Sequence, residues 1–173
     1  MSSVLKVDAI QNTAGTSALT IDSSGFILPK AVTFQMHPSQ NQSLANGAET
    51  AFEFGTTSID PASIVDLSNN RVVITAATAG LWWLSFTARL KNSAPPRQVV
   101  YMKVNGTTIY NTEENSGASA GTNGSQSVTA CGLHNLSSGD AITYAVYHNH
   151  GSARDIEFAL SSSRAEGYRI GTI

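Results

Sequence analysis

The sequence predicts an all-β protein, an antiparallel sandwich of jelly-roll type preceded by a short extended segment. Three observations lead there. Turn signals are frequent: Asn46-Gly47, Pro95-Pro96, Asn105-Gly106, Asn123-Gly124 and Ser138-Gly139-Asp140. Between them lie short runs with period-2 alternation or β-branched and aromatic enrichment. No window offers a long amphipathic helix. Many short strands at such spacing are the signature of a sandwich or jelly roll.

Taken in chain order, the expected strands cover residues 31–36, 51–55, 71–76, 81–90, 98–104, 107–111, 126–134, 141–149, 155–161 and 165–172. Leu81–Leu90 shows the logic. One face carries Trp82, Leu84, Phe86, Ala88 and Leu90 and reads as core. The other carries Leu81, Trp83, Ser85, Thr87 and Arg89, apolar at first and then polar. Val99–Val104 and Thr107–Tyr110 read as a hairpin, because Asn105-Gly106 accepts the positive φ of a type I′ turn. Residues 37–50 read as a loop. The first 29 residues differ: Val4–Ile10 and Ala18–Asp22 are two brief strand-like pieces, too small to fold alone. We therefore expect two regions, an attachment segment at 1–29 and a head at 30–173.

Composition narrows the function. Charged residues are 13% of the 173 and the net charge is -2, so no basic excess exists to neutralise a phosphate backbone, and nucleic-acid binding is not expected. Ser, Thr, Asn and Gly make up 65 residues, whereas Leu, Ile, Val and Phe total 39, a lean core for a monomer of this length. No run reaches the roughly 20 apolar residues that span a bilayer, and the start lacks a signal-peptide pattern, so neither membrane insertion nor secretion is expected. The lone Cys131 precludes an intrachain disulfide framework and reads as a small buried strand residue.

The residues that could carry chemistry are weak. Gly117-Ala-Ser-Ala-Gly121 fits a serine-hydrolase pattern, but Ser119 sits in a Ser/Gly-rich loop with no helix behind it to form the elbow. His148-Asn-His150 places two imidazoles on one face if the strand persists, with His37, His134 or Asp155 as remote completions of a metal site; the plainer reading is polar residues at a strand end or trimer rim. Glu113-Glu114 reads as the start of a loop, without the rigid frame that paired glycosidase acids need. No catalytic residue, cofactor or metal is therefore expected, and the chain reads as a non-enzyme. Trp83, Tyr101, Tyr110, Tyr147 and Tyr168 are aromatics that suit a subunit interface or a sugar.

Several segments, in order, resemble the complement globular-head and tumour-necrosis-factor-like jelly rolls. They are Asn70–Ala76 followed by Thr78–Phe86, Met102–Gly106, Val128–Ile142 with its Gly139-Asp140 turn, and Gly167-Tyr168. The resemblance covers about 31–173 and implies a homotrimer, with Trp82, Trp83, Phe86, Tyr144, Phe158 and Tyr168 as candidate trimer or core contacts. Ala165-Glu166 and Arg169 depart from the family's last strand, where an apolar aromatic usually precedes the glycine.

Leu5–Gly25 resembles the start of appendage proteins of tailed bacteriophages, notably those of marine cyanobacteria. That implies a structural virion protein, a fibre or surface appendage, made in the host cytoplasm and fastened through Leu5, Val7, Ile10, Leu19 and Ile21 to other virion proteins. The host surface is a further implied partner. A capsid decoration or cement trimer, or a free lectin-like carbohydrate- or receptor-binding module, remain alternatives.

Overall fold

A computed structural model describes residues 9–11, 17–21, 27–29, 32–91, 97–115, 125–158 and 162–171. The chain divides into two compact units, Met1–Ala31 and Val32–Ile173. In the first, β1 (Ala9–Gln11), β2 (Ser17–Ile21) and β3 (Ile27–Pro29) form a three-stranded antiparallel sheet in the order β1-β2-β3.

Among the described residues the second unit has thirteen strands and one 3-10 turn at Leu67–Asn69. They are β4 (Thr33–His37), β5 (Gln42–Leu44), β6 (Thr50–Ala51), β7 (Thr56–Ile59), β8 (Val65–Asp66), β9 (Arg71–Val73) and β10 (Gly80–Leu90). There follow β11 (Arg97–Val104), β12 (Thr107–Asn115), β13 (Gln126–Leu136), β14 (Ala141–His148), β15 (Arg154–Ile156) and β16 (Arg164–Gly171). One sheet of seven strands runs β5-β15-β10-β16-β4-β7, with β13 along the other edge of β10. The second, of six, runs β12-β11-β14-β9-β8, with β6 beside β14. All the pairings are antiparallel, and from β9 onward the chain keeps crossing between the sheets, as a jelly roll requires. Among the described residues no helix is long and apolar enough to cross a membrane.

The core fills the space between the sheets. Trp82, Leu84, Phe86, Ala88 and Leu90 are fully buried, so the face of β10 expected to point inward does so. The few Leu, Ile and Val are supplemented by rings. Phe52 and Phe86 meet edge-on at 5.0 Å, Phe54 and Tyr144 at 5.4 Å, and Phe34 lies 5.9 Å from Trp82. Aromatics bury about 150–250 Å² each, so a handful replaces many aliphatic contacts. The core is therefore fuller than the aliphatic count implies. The Trp82 indole N–H, inside the core, donates to the Thr78 carbonyl at 3.0 Å, which satisfies it.

The turn chemistry follows the sequence closely. Asn105 (φ 51°) and Gly106 (φ 81°) both take the positive φ expected of the β11–β12 hairpin. Asn105 also does more than turn: its Nδ2 donates to Asp140 at 2.8 Å, and its Oδ1 accepts from the Ala141 N–H at 3.0 Å. Asp140 in turn accepts from the Ser137 N–H at 2.8 Å, while Gly139 (φ 95°) turns the corner. The Asn-Gly and Gly-Asp motifs, far apart in sequence, thus form one polar knot.

Several expectations need correction. Residues 37–50 are not all loop, since β5 pairs with β15 there. Of the strand expected over 155–161, the described residues show the short β15, and 159–161 lie outside them. Strands β7 and β8 were not expected at all. Glu113 and Glu114 stand on β12 rather than at a loop start.

Candidate assembly face

The outward face of the seven-stranded sheet carries the most distinctive surface chemistry. Period-2 alternation on β10 turns Trp82, Leu84 and Phe86 inward and so turns Trp83, Ser85 and Thr87 outward. The register then aligns neighbours across the strands. Trp83 stands opposite Leu133 of β13 on one side and Tyr168 of β16 on the other, and Tyr168 stands opposite Thr33 of β4. The Trp83 and Tyr168 rings stack with centroids 5.2 Å apart and planes 26° from parallel. Leu133 and Tyr168 are about half exposed, 52% and 47%, although each is a large apolar side chain on a strand. Ile59 on β7 and Ile170 at the end of β16 are exposed as well.

Next to this apolar row runs a polar one: Cys131, Ser85, Glu166, Gln35. Gln35 Nε2 donates to Glu166 at 3.0 Å, and Arg164 pairs with the same carboxylate at 3.3 Å. One row further, the hydroxyls of Thr87 and Thr129 meet at 2.8 Å. A shallow recess of about 270 Å³ opens between Ile59, Trp83, Glu166 and Tyr168.

Gly167 explains the neighbouring motif. Its position faces the core, where a Cβ would lie 2.7 Å from the Phe34 ring and 2.9 Å from Leu84. The glycine lets Phe34 press on β16, and the alternation then turns Tyr168 outward. Thr33 hydroxyl donates to the Gly167 carbonyl at 2.9 Å.

Of the candidate contacts, Trp82, Phe86 and Tyr144 are buried in the core, and Trp83 and Tyr168 share the outward face. Phe158 follows β15 and is 48% exposed, apart from the core. Ile10 on β1 is exposed; Leu19 and Ile21 lie on β2; Leu5 and Val7 fall outside the described residues. Leu133, Ile59 and Ile170 were missed. Leu133 had a signal, since it alternates with Gly132 on β13, but the inward set Val128-Ala130-Gly132 is no more apolar than the outward Cys131-Leu133.

The residues weighed for chemistry do not converge. Cys131 is exposed on this face, not buried, because the alternation of β13 puts Ala130 inward and Cys131 outward. Strand β14 ends at His148, so His148 and His150 do not share a strand face: His148 is buried and His150 turns to Arg154. His37 Nδ1 lies 2.9 Å from the Pro38 carbonyl, and His134 meets Tyr110 edge-on at 6.2 Å. Glu113 and Glu114, being adjacent on a strand, point to opposite sides. Glu113 pairs with Arg97 at 2.7 Å, and the hydrogen bonds from Arg97 and then Asn115 hold its carboxyl below the usual range. Ser119 lies outside the described residues. Among the described residues no three His, Cys, Asp or Glu are placed to hold a metal ion.

With the geometry in place, solved structures give the fold a counterpart. Murine APRIL (structure at pH 5.0) aligns at a TM-score of 0.63 and 13% identity over 82% of this chain and 100% of that one. The Eiger TNF of S. frugiperda aligns at 0.67 and 10% identity, over 83% and 94%. The globular domain of zebrafish complement 1qA aligns at 0.58 and 11% identity, over 82% and 98%. The fold is a tumour-necrosis-factor and complement-type jelly roll. No family model and no curated protein matches the sequence. In this jelly roll, the motif from Asn70 to Phe86 becomes β9, a Thr75–Thr78 turn and β10. Asn70, in the left-handed region at φ 51°, accepts the Phe54 N–H at 2.7 Å and so ties the start of β9 to the buried connection between β6 and β7.

Proposed function

We propose that the chain is a homotrimeric, non-enzymatic head of a tailed-bacteriophage virion appendage, fastened to the particle through residues 1–29 and displaying its jelly roll toward the host surface. The observation that carries the assembly is the apolar row Leu133–Trp83–Tyr168, laid across the outward face of one sheet and left half exposed by the single chain. Exposed apolar surface gathered in one patch marks an interaction site. At about 25 cal/mol per Å², each roughly 100 Å² of apolar surface covered contributes on the order of 2.5 kcal/mol before the entropic and polar costs of association. The virion reading is supported by the sequence Leu5–Gly25 and its likeness to phage appendage proteins. The divergence of Glu113 and Glu114 on β12 speaks against a paired-acid glycosidase site.

Light scattering on the purified chain tests the assembly: the expected mass is about three times 18.2 kDa. Tyr168→Glu, which sets a charge in the centre of the row, is expected to give folded monomer. A wild-type monomer at micromolar concentration would end the trimer reading. Electron microscopy of purified virions tests the location, and absence of the chain from particles would end that part while leaving the trimer standing.

A further inference from the structure

At one end of the sandwich, two loops are tied together around a buried imidazole. His148, the last residue of β14, is fully buried. Its Nε2 lies 3.3 Å from the Leu44 carbonyl at the end of β5, and its Nδ1 lies 3.4 Å from the His150 N–H. A carbonyl only accepts and an amide N–H only donates. Both contacts together are therefore met by one form of the ring, the neutral tautomer with its hydrogen on Nε2. His150 is held the same way: an Arg154 guanidinium nitrogen sits 2.8 Å from its Nδ1 and 3.2 Å from its Nε2. Arg154 is permanently a donor, so the facing ring nitrogen accepts and the imidazole is neutral.

Around these rings the loops are cross-linked. The Gly47 N–H donates to the His148 carbonyl at 2.8 Å, and the Gly151 N–H donates to Asn46 Oδ1 at 2.6 Å. Residues 45–49 follow β5 of one sheet and residues 149–153 follow β14 of the other, so the tie joins the two sheets at this end.

The surrounding charges offer an imidazolium no relief. From β15 the nearest is the Arg154 cation, which makes no ion pair among the described residues. From β11 the residue in register with His148 is the uncharged Gln98; its neighbour Arg97 is paired with Glu113. Glu49 in the 45–49 loop is paired with Lys103. Strand β5 carries no charged side chain, and Asp155 is exposed beside Arg154. Burial, aided by the Arg154 charge, holds both imidazoles below the ordinary value of 6.5, and for His148 it outweighs the opposing hydrogen bond to Leu44. The fold thus favours the neutral rings. Their contribution is complete above about pH 6.5 and is lost as the pH falls below it.

We propose that His148 and His150 form an acid-released clasp: protonation of either ring frees loops 45–49 and 149–153 from each other while the sandwich stays folded. The proposal concerns this end of the head alone and stands whether or not the chain is a virion protein.

Hydrogen exchange of the full chain at about pH 7.5 and about pH 5, corrected for the intrinsic pH dependence of exchange, reads the clasp directly. Peptides covering 44–49 and 149–153 are expected to lose protection roughly tenfold at the lower pH, while peptides within 80–90 keep theirs. His148→Gln retains an amide donor for Leu44 but cannot titrate, and is expected to leave only the part of the acid response that His150 supplies. His150→Gln, outside any strand, keeps the fold even if the first variant does not, and is expected to shrink the response. Unchanged protection in the two loops, an equal loss in 80–90, or a full response in His150→Gln and His148→Gln would each overturn the clasp.

Discussion

Gly167 lies where β16 meets the core, and an alanine there makes a sharp test of the packing. The added methyl would sit 2.7 Å from Phe34 Cε1, 3.0 Å from Phe34 Cζ and 2.9 Å from Leu84 Cδ2, well inside normal carbon contact of roughly 3.5–4.0 Å. Neither neighbour has room to retreat, since both are buried and Phe34 is backed by Trp82. Forcing a methyl into such a site costs about 1–3 kcal/mol. Replacing glycine also restricts the unfolded chain and returns about 0.4–1 kcal/mol. The net expectation is a loss of about 1–2 kcal/mol, or roughly 2–8 °C in Tm for a chain of this length. Gly171→Ala is the control: it lies on the same strand, meets nothing within 4 Å, and is expected to change stability by less than about 0.5 kcal/mol. Urea and thermal unfolding at fixed protomer concentration measure both variants. Phe34→Leu in the Gly167→Ala background is expected to recover part of the loss. Gly167→Ala with a midpoint equal to that of Gly171→Ala would refute the account of why glycine precedes Tyr168.

Other outcomes follow from particular side chains. Tyr144 buries its hydroxyl with no hydrogen-bond partner among the described residues, and burial alone pushes its pKa far up. Tyr144→Phe is therefore expected to stabilise the fold by about 1 kcal/mol, read from the urea midpoint. Asn105→Ala loses both bonds of the Asn105–Asp140 knot and places a β-carbon at φ 51° without side-chain support, with an expected cost of about 2 kcal/mol in the same assay. Cys131, on the assembly face, is expected to react slowly with a thiol reagent in the wild type and at least about tenfold faster in Tyr168→Glu; equal rates would detach it from the interface.

The sequence disclosed the long strands and concealed the short ones for a physical reason. Strand β10 is eleven residues long with a continuous apolar face, so its inward set Trp82, Leu84, Phe86, Ala88 and Leu90 could be read without a structure. Strands β5, β7 and β8 have two to four residues, too few for a period to show, and exist only through their partners. Asn105-Gly106 declared its turn through backbone chemistry, but its bond to Asp140, 35 residues on, is a tertiary fact. Trp83 and Tyr168 were separately legible as outward aromatics; that they stack depends on the β10–β16 register. Cys131 was misjudged because β13 has small or apolar residues on both faces and the parity was undetermined. His148 was misjudged because the end of β14 looks polar in sequence, whereas β5 folds over it.

The contact of Tyr110 with β13 bears on how copies of this chain crowd together. Strands β12 and β13 are edge strands of different sheets, yet the Tyr110 ring covers Gly132, and its hydroxyl donates to the Leu133 carbonyl. That carbonyl is a backbone acceptor on which an incoming foreign strand would have to dock. Capping it makes this stretch of the β13 edge a poor template for an incoming strand.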